Sequence, residues 1–108
     1  MIISNNTKFS TKLIKRIMRA ALIKKEDAII VISHNATRDG KHGYVEFRES
    51  CYFINIAEPG DILTLAHELR HVAQWQKFDR HEFLEMPNEI LEIDAELFED
   101  HIETCGIL

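Results

Sequence analysis

Hydrophobic and polar residues recur along the chain with two different periods, and these periods separate predicted helices from predicted strands. Between positions 13 and 22, apolar residues recur every three or four positions with Lys and Arg on the other side. This pattern predicts an amphipathic first helix that is capped by Ser10 or Thr11. Shorter runs that are rich in β-branched residues, or that alternate strictly, indicate strands. The strands are predicted over residues 28–32, 44–48 and 51–57.

A longer helix is predicted over residues 62–78. Pro59 and Gly60 break the preceding strand, and Asp61 stands at the position where a helix N-cap belongs. Aliphatic residues then recur at helical spacing along the segment, which indicates a helix with one apolar face.

The last helix is predicted to begin at Pro87 and Asn88, after a charged loop over residues 79–86, and Gly106 is suited to end it. The order helix, three strands, helix, helix predicts an α+β fold. Its small sheet of about three strands would be accompanied by an N-terminal, a central and a C-terminal helix. A length of 108 residues is that of one small domain, which would span residues 1–108.

Composition narrows the class of protein further. A content of 45% hydrophobic and 29% charged residues excludes a disordered tail, a collagen and a disulfide scaffold. No apolar run approaches the roughly 18 residues that span a membrane, and the first residues lack the apolar core of a signal peptide. We therefore expect a cytoplasmic protein with no membrane partner. Cys51 and Cys105 are expected to be free thiols, with a single disulfide between them as the alternative.

The net charge of −5 conceals an asymmetry between the two ends of the chain. Residues 1–25 contain seven Lys and Arg and no acidic residue, whereas residues 79–108 contain ten Asp and Glu and only Arg80 as a basic residue. We interpret these segments as helices whose charged faces meet solvent or each other. A basic helix that touches nucleic acid is the alternative interpretation, but nucleic acid is not the partner that we expect.

The chemistry of the chain is concentrated in an H-E-x-x-H motif, His67-Glu68-Leu69-Arg70-His71. Histidines at i and i+4 lie one turn apart on the same helix face, so both imidazoles can reach one Zn²⁺ at about 2.0–2.1 Å. The glutamate after the first histidine points about 100° further round the helix, where it can act on metal-bound water without ligating the metal. Both histidines face away from the aliphatic stripe, which argues against two core histidines and leaves a solvated pair as the alternative.

A catalytic zinc needs a third protein ligand and a fourth position for water. The candidates on the last helix are Glu89, Glu92, Asp94, Glu96, Glu99, His101 and Glu103. Glu92 and Glu99 border the apolar stripe that begins at Leu91, so their side chains would look into a contact between helices. Spacing alone leaves the choice open, because acidic residues on a helix are commonly solvated.

Residues 64–96 resemble the gluzincin metallopeptidases, of which thermolysin is the best-known member. In that clan a later helix supplies a glutamate as the third ligand, often in the pattern E-x-x-A-D. Here Glu92-Ile93-Asp94-Ala95-Glu96 reads E-x-x-A-E, and it begins 21 positions after the second histidine of the motif. The resemblance implies that His67, His71 and Glu92 bind zinc, and that Glu96 is the acidic residue that orients a histidine ligand.

The size and the element order are also similar to those of the minigluzincins, some of which are latent because a terminal segment lies in the cleft. The resemblance thus implies a zinc-dependent peptidase, active or latent, that acts on a peptide or protein. Glu68 would take a proton from the zinc-activated water and deliver it to the leaving amine. Extended substrates would pair with a sheet edge, for which residues 44–48 are our candidate. The oxyanion-stabilising residue is not assigned, and its candidates are His34, His42, Tyr44, Tyr52 and His81.

Two alternatives belong to other classes. The first is a non-catalytic module that keeps the fold or the metal for binding a partner, because thermolysin-like enzymes draw oxyanion-stabilising residues from a second subdomain for which we expect no room. The second is a SprT-like protease associated with nucleic acid, which the basic first helix favours. Such proteins usually take a histidine as third ligand, and His81 is the nearby imidazole.

Overall fold

The computed structural model describes residues 1–37, 39–48, 50–78 and 80–107. The elements in chain order are β1 (Ile2–Asn5), α1 (Thr11–Ala20), β2 (Ile29–His34), β3 (Gly43–Arg48), β4 (Cys51–Ile56), α2 (Ile62–Lys77), α3 (Arg80–Glu85) and α4 (Asn88–Thr104). Helices and a small mixed sheet form the α+β fold that the sequence predicts, with α1 near the start and α4 near the end of the chain.

Within the described part of the chain, the sheet has four strands in the order β1-β2-β4-β3. β1, β2 and β4 run parallel, and β3 pairs antiparallel with β4, so β3 is an edge strand, as expected for residues 44–48. The prediction of about three strands is wrong by one strand, because β1 was missed. β1 is only four residues long, and it pairs in parallel with β2, with Ile3 opposite Ile30. This pairing cannot be predicted from the pattern of neighbouring residues.

Polar caps set the helix boundaries close to where the sequence predicts them. Ser10 accepts a hydrogen bond from the Leu13 amide at 3.1 Å, and Asp61 accepts one from the Thr64 amide at 3.1 Å. Gly106 follows α4 with φ of +69°, a conformation that favours glycine. The predicted loop 79–86 is wrong in part, because it contains the short helix α3.

The core lies between one face of the sheet and the helices. The isoleucines of β2 and β4 that face the helices, such as Ile30 and Ile54, contact the apolar sides of α1 and α2, while Phe98 and Ile102 of α4 extend the same cluster. The apolar stripe of α2 is therefore fixed against the sheet, which turns the opposite side of that helix towards α4. Among the described residues, we find no helix with the length and apolar character needed to cross a bilayer.

The basic residues of α1 face outward, as the sequence interpretation expects, while Ile14 and Ile17 are fully buried. Arg16 donates a hydrogen bond to the carbonyl oxygen of Ile107 at 3.3 Å. The end of the described chain therefore lies against α1.

Candidate metal centre

The two motif histidines lie side by side on the face of α2 that the sheet leaves free. Leu65, Leu69 and Val72 are fully buried against the core and fix the rotation of the helix. His67 and His71 project from the other side, with their ring centroids 4.8 Å apart. The i, i+4 spacing thus yields two converging imidazoles.

Glu92 of α4 joins the two imidazoles through both of its carboxylate oxygens. Its Oε2 lies 3.0 Å from Nε2 of His67, and its Oε1 lies 3.0 Å from Nε2 of His71. Fully buried Ala95 and nearly buried Leu91 sit on the same helix, so small and apolar side chains let α4 approach α2 closely. Two stretches of the sequence therefore bring three potential ligands to one point.

The donor set fits a divalent cation. One ligand atom from each of His67, His71 and Glu92 lies within 4.8 Å of the other two. Each imidazole Nε2 lies 3.0 Å from one oxygen of the Glu92 carboxylate, so the three groups are near enough to share one ion bound at about 2.0–2.2 Å. Two imidazoles and a carboxylate suit zinc and similar transition metals better than magnesium or calcium, which prefer oxygen ligands.

The other nitrogen of each imidazole is held by a hydrogen-bond acceptor. Nδ1 of His67 donates to Oε1 of Glu99 at 2.6 Å. Nδ1 of His71 lies 2.7 Å from Oε1 of Gln74, whose amide nitrogen donates to the Leu91 carbonyl at 2.9 Å. With the proton held on Nδ1, each Nε2 can offer its lone pair to a metal.

Glu68 is the buried carboxyl group of the site, with only 7% of the residue exposed. Burial raises its pKa to about 7, and the negative charges of Glu92 and Glu99 act in the same direction, whereas His67 and Lys41 oppose the rise. A carboxyl group that titrates near neutrality can both accept and return a proton. The surplus of carboxylates over basic side chains also favours a bound cation.

A close approach of β3 to α2 forms the wall beside Glu68. A Cβ atom at Gly43 would lie 2.6 Å from Cγ2 of Thr64 and 2.8 Å from the carbonyl oxygen of Asn55, so no larger residue fits there without rearrangement. β3, α2 and α4 enclose a cleft of about 950 Å³ that Tyr44 and Val45 line from the sheet edge. An edge strand therefore runs along the cleft that holds the three candidate ligands.

The carboxylate that contacts Nδ1 of His67 is that of Glu99, whereas the family pattern assigns the orienting role to Glu96. The contacts of His67 with Glu99 and of Gln74 with Leu91 show that α4 runs antiparallel to α2. With 100° per residue, position 99 lies about 20° round the helix axis from position 92, and position 96 lies about 40° from it in the opposite direction. Glu96 lines the same cleft.

The sequence analysis did not predict that Glu99 and Gln74 contact the motif histidines. Glu99 was considered as a third ligand at the border of the apolar stripe and not as a partner of His67, although its seven-residue separation from Glu92 is two helical turns. Gln74 lies three positions after His71, a spacing that brings side chains together on a helix surface. In both cases the helical spacing was present in the sequence. The contacts could be predicted from it only with the packing of α4 against α2.

The remaining candidates lie in different environments. His42 and Tyr44 line the cleft, and His34 is exposed at the end of β2. Tyr52 is buried and donates to Glu26 away from the cleft wall, while His81 pairs with Glu85 at 3.1 Å on the exposed face of α3. His81 is thus engaged outside the group formed by His67, His71 and Glu92.

Comparisons with family models, with curated proteins and with solved structures find no match to this chain. The resemblance to the gluzincins therefore depends on the two motifs.

Proposed function

We propose that this protein is a zinc-dependent peptidase. The observation that carries the proposal is the convergence of His67, His71 and Glu92, with each imidazole bonded through Nδ1 so that its Nε2 faces the common centre. A solvated pair of histidines would need neither the third group nor the two acceptors behind the rings. Together these features resemble a ligand set with its supporting hydrogen bonds.

The chemistry follows from the groups around that centre. A zinc ion supplies Lewis-acid activation of water and of a peptide carbonyl. Glu68 is the proton carrier in this proposal, because its carboxyl group follows His67 on α2 and lines the same cleft as the three candidate ligands. His42 and Tyr44 are the cleft-lining candidates for stabilising a developing oxyanion.

An extended peptide or protein segment is the substrate class that we propose. β3 has one side paired with β4 and lies along the cleft, so its other side can add a strand of substrate. Both Cys51 and Cys105 are free thiols, which is compatible with the reducing cytoplasm where we propose that the protein acts.

Metal analysis of purified protein tests the ligand set. We expect one zinc per chain in the wild type and strongly reduced zinc in His67→Ala and Glu92→Ala. His81→Ala serves as the matched control, because His81 pairs with Glu85 on α3 and should leave the zinc content unchanged. A third histidine ligand of the SprT-like type would instead make the H81A variant lose zinc.

Turnover of a peptide library tests the reaction. The variant Glu68→Gln keeps the size of the side chain and removes the proton acceptor, so we expect zinc at the wild-type level and no cleavage. Undiminished cleavage by E68Q would contradict the assigned role. Zinc binding without turnover, also after trimming of the termini, would favour the non-catalytic module over both an active and a latent peptidase.

A further inference from the structure

We propose that Gln74 is a positioning residue that fixes the orientation of His71 for metal binding, and that Asp94 and Arg70 fix Gln74. This inference rests on the proposed zinc site and goes beyond it, since it assigns roles to three residues that lie outside the predicted ligand set. It is carried by one connected series of hydrogen bonds, which is buried at His71 and Gln74 and partly buried at Asp94 and Arg70.

The Gln74 amide is oriented by the acceptors around it. Its nitrogen donates to the Leu91 carbonyl at 2.9 Å and to Oδ2 of Asp94 at 2.8 Å, and these bonds use both of its N–H groups. The oxygen must then face Nδ1 of His71, at 2.7 Å. An amide oxygen only accepts, so the imidazole carries its proton on Nδ1 and leaves Nε2 for the metal.

Arg70 holds the far end of this series. Its Nε and one terminal nitrogen donate to the two carboxylate oxygens of Asp94 at 2.8 and 3.2 Å, and its other terminal nitrogen donates to the carbonyl oxygen of Ala21 at 3.0 Å. These two bonds from the guanidinium fix the carboxylate of Asp94, whose Oδ2 accepts from the Gln74 amide. The orientation of His71 is thereby coupled to the residue that follows α1.

Gln76 provides an internal comparison on the same helix. Its amide also bridges to another segment, because it accepts from the Lys24 amide at 2.7 Å and donates to the Lys24 carbonyl at 3.0 Å. The bonds of Gln76 are exposed, and its oxygen faces a backbone amide where that of Gln74 faces a histidine. Gln76 therefore serves as a control for the loss of a side-chain amide on α2 that does not contact a candidate ligand.

The test compares Gln74→Met with Gln76→Met in the full chain. Methionine is close to glutamine in size and offers neither amide group. Zinc affinity is measured on folded protein by competition with a chromophoric chelator. We expect the Kd for zinc to rise about 10–100-fold in Q74M, the range typical for lost partners of a ligating histidine, and to stay at the wild-type value in Q76M. A loss of unfolding free energy in Q74M without a change in its Kd for zinc would indicate a merely structural role.

The outcomes separate this inference from the proposed function. If the wild type binds zinc and Q74M binds it equally well, the positioning role is overturned while the zinc site stands. If the wild type binds no zinc, both fail. Should Q74M not fold, the zinc-loaded wild type gives a second measurement by proton NMR. We then expect a slowly exchanging Hδ1 signal of His71 with a cross-peak to Gln74, and the absence of that signal overturns the inference.

Discussion

The two faces of α2 are built from different kinds of interaction. The face towards the sheet consists of fully buried Leu65, Leu69 and Val72, which contribute by area and shape. The face towards α4 consists of His67, His71 and Gln74, whose contacts are hydrogen bonds between specific donor and acceptor atoms. One helix thus carries the stability of the fold on one side and the candidate chemistry on the other.

The difference determines what each face tolerates. Apolar packing is non-directional, so a change of side chain costs free energy roughly in proportion to the lost contact and to the cavity that remains. The hydrogen-bonded face depends on which atom meets which, so a small change can remove a function and leave the fold in place. We expect substitutions on the two faces to separate stability from metal binding.

The largest effect on stability is expected from Leu69→Ala. Leu69 is fully buried between α2 and the sheet, so truncation should lower the free energy of unfolding by about 2–5 kcal/mol, as measured by urea denaturation. The zinc content per folded chain should not change, because Leu69 points away from the histidines.

Leu97→Ala is the control for that variant, since Leu97 lies on α4 with 62% of the residue exposed. The same truncation there should change the free energy of unfolding by less than about 0.5 kcal/mol. If L69A stayed folded but lost zinc, the two faces of α2 would not be independent, and the comparison would fail.

A smaller but more specific effect is expected at the hydrogen-bonded face, where Glu99→Ala is compared with Glu96→Ala. Both substitutions remove one negative charge from the cleft, but only Glu99 contacts Nδ1 of His67. We expect E99A to weaken zinc binding about 10–100-fold and E96A to remain near the wild type, as measured by chelator competition.

The opposite result would have a clear meaning. If E96A weakened zinc binding more than E99A, the family pattern would describe the metal-loaded site better than the hydrogen bonds of this structure do. Equal losses in both variants would indicate that the charge of the cleft matters more than the bond to His67.

Much of the fold could be predicted from local patterns. Ser10 and Asp61 mark the starts of α1 and α2, and alternation marks β3 as a strand with one polar face. β1 and α3 could not be found in this way. β1 depends on pairing with β2 some 27 positions away in sequence, at Ile2 opposite Ile29, and α3 is too short to display a helical period.

The candidate site could be predicted where it depends on one helix and not where it depends on two. The convergence of His67 and His71 follows from the 3.6-residue period alone. The partners Glu99 and Gln74 follow from the direction and offset of α4 against α2, which are properties of packing and not of either sequence segment. Glu92 was assigned through the resemblance, because spacing could not choose among the acidic residues of α4.

The smallest effect is expected on the sheet side, where one polar group interrupts the apolar packing. Tyr52 of β4 is 5% exposed, and burial together with its hydrogen bond to Glu26 raises the pKa of its phenol above the usual value. Folding therefore favours the neutral phenol. The stabilisation is complete below the unfolded pKa of about 10, and it declines as the pH rises from there towards the folded pKa.

Tyr52→Phe isolates this contribution. We expect the variant to lose about 1 kcal/mol of unfolding free energy at pH 8, the usual worth of one hydrogen bond, and we expect its difference from the wild type to shrink above pH 10. The Tyr44→Phe variant leaves Tyr52 as the single tyrosine, so its absorbance titration reports this phenol alone. If Tyr52 then ionised near pH 10 in folded protein, the sheet side of the molecule would be more open to water than its packing indicates, and the contrast between the two faces of α2 would weaken.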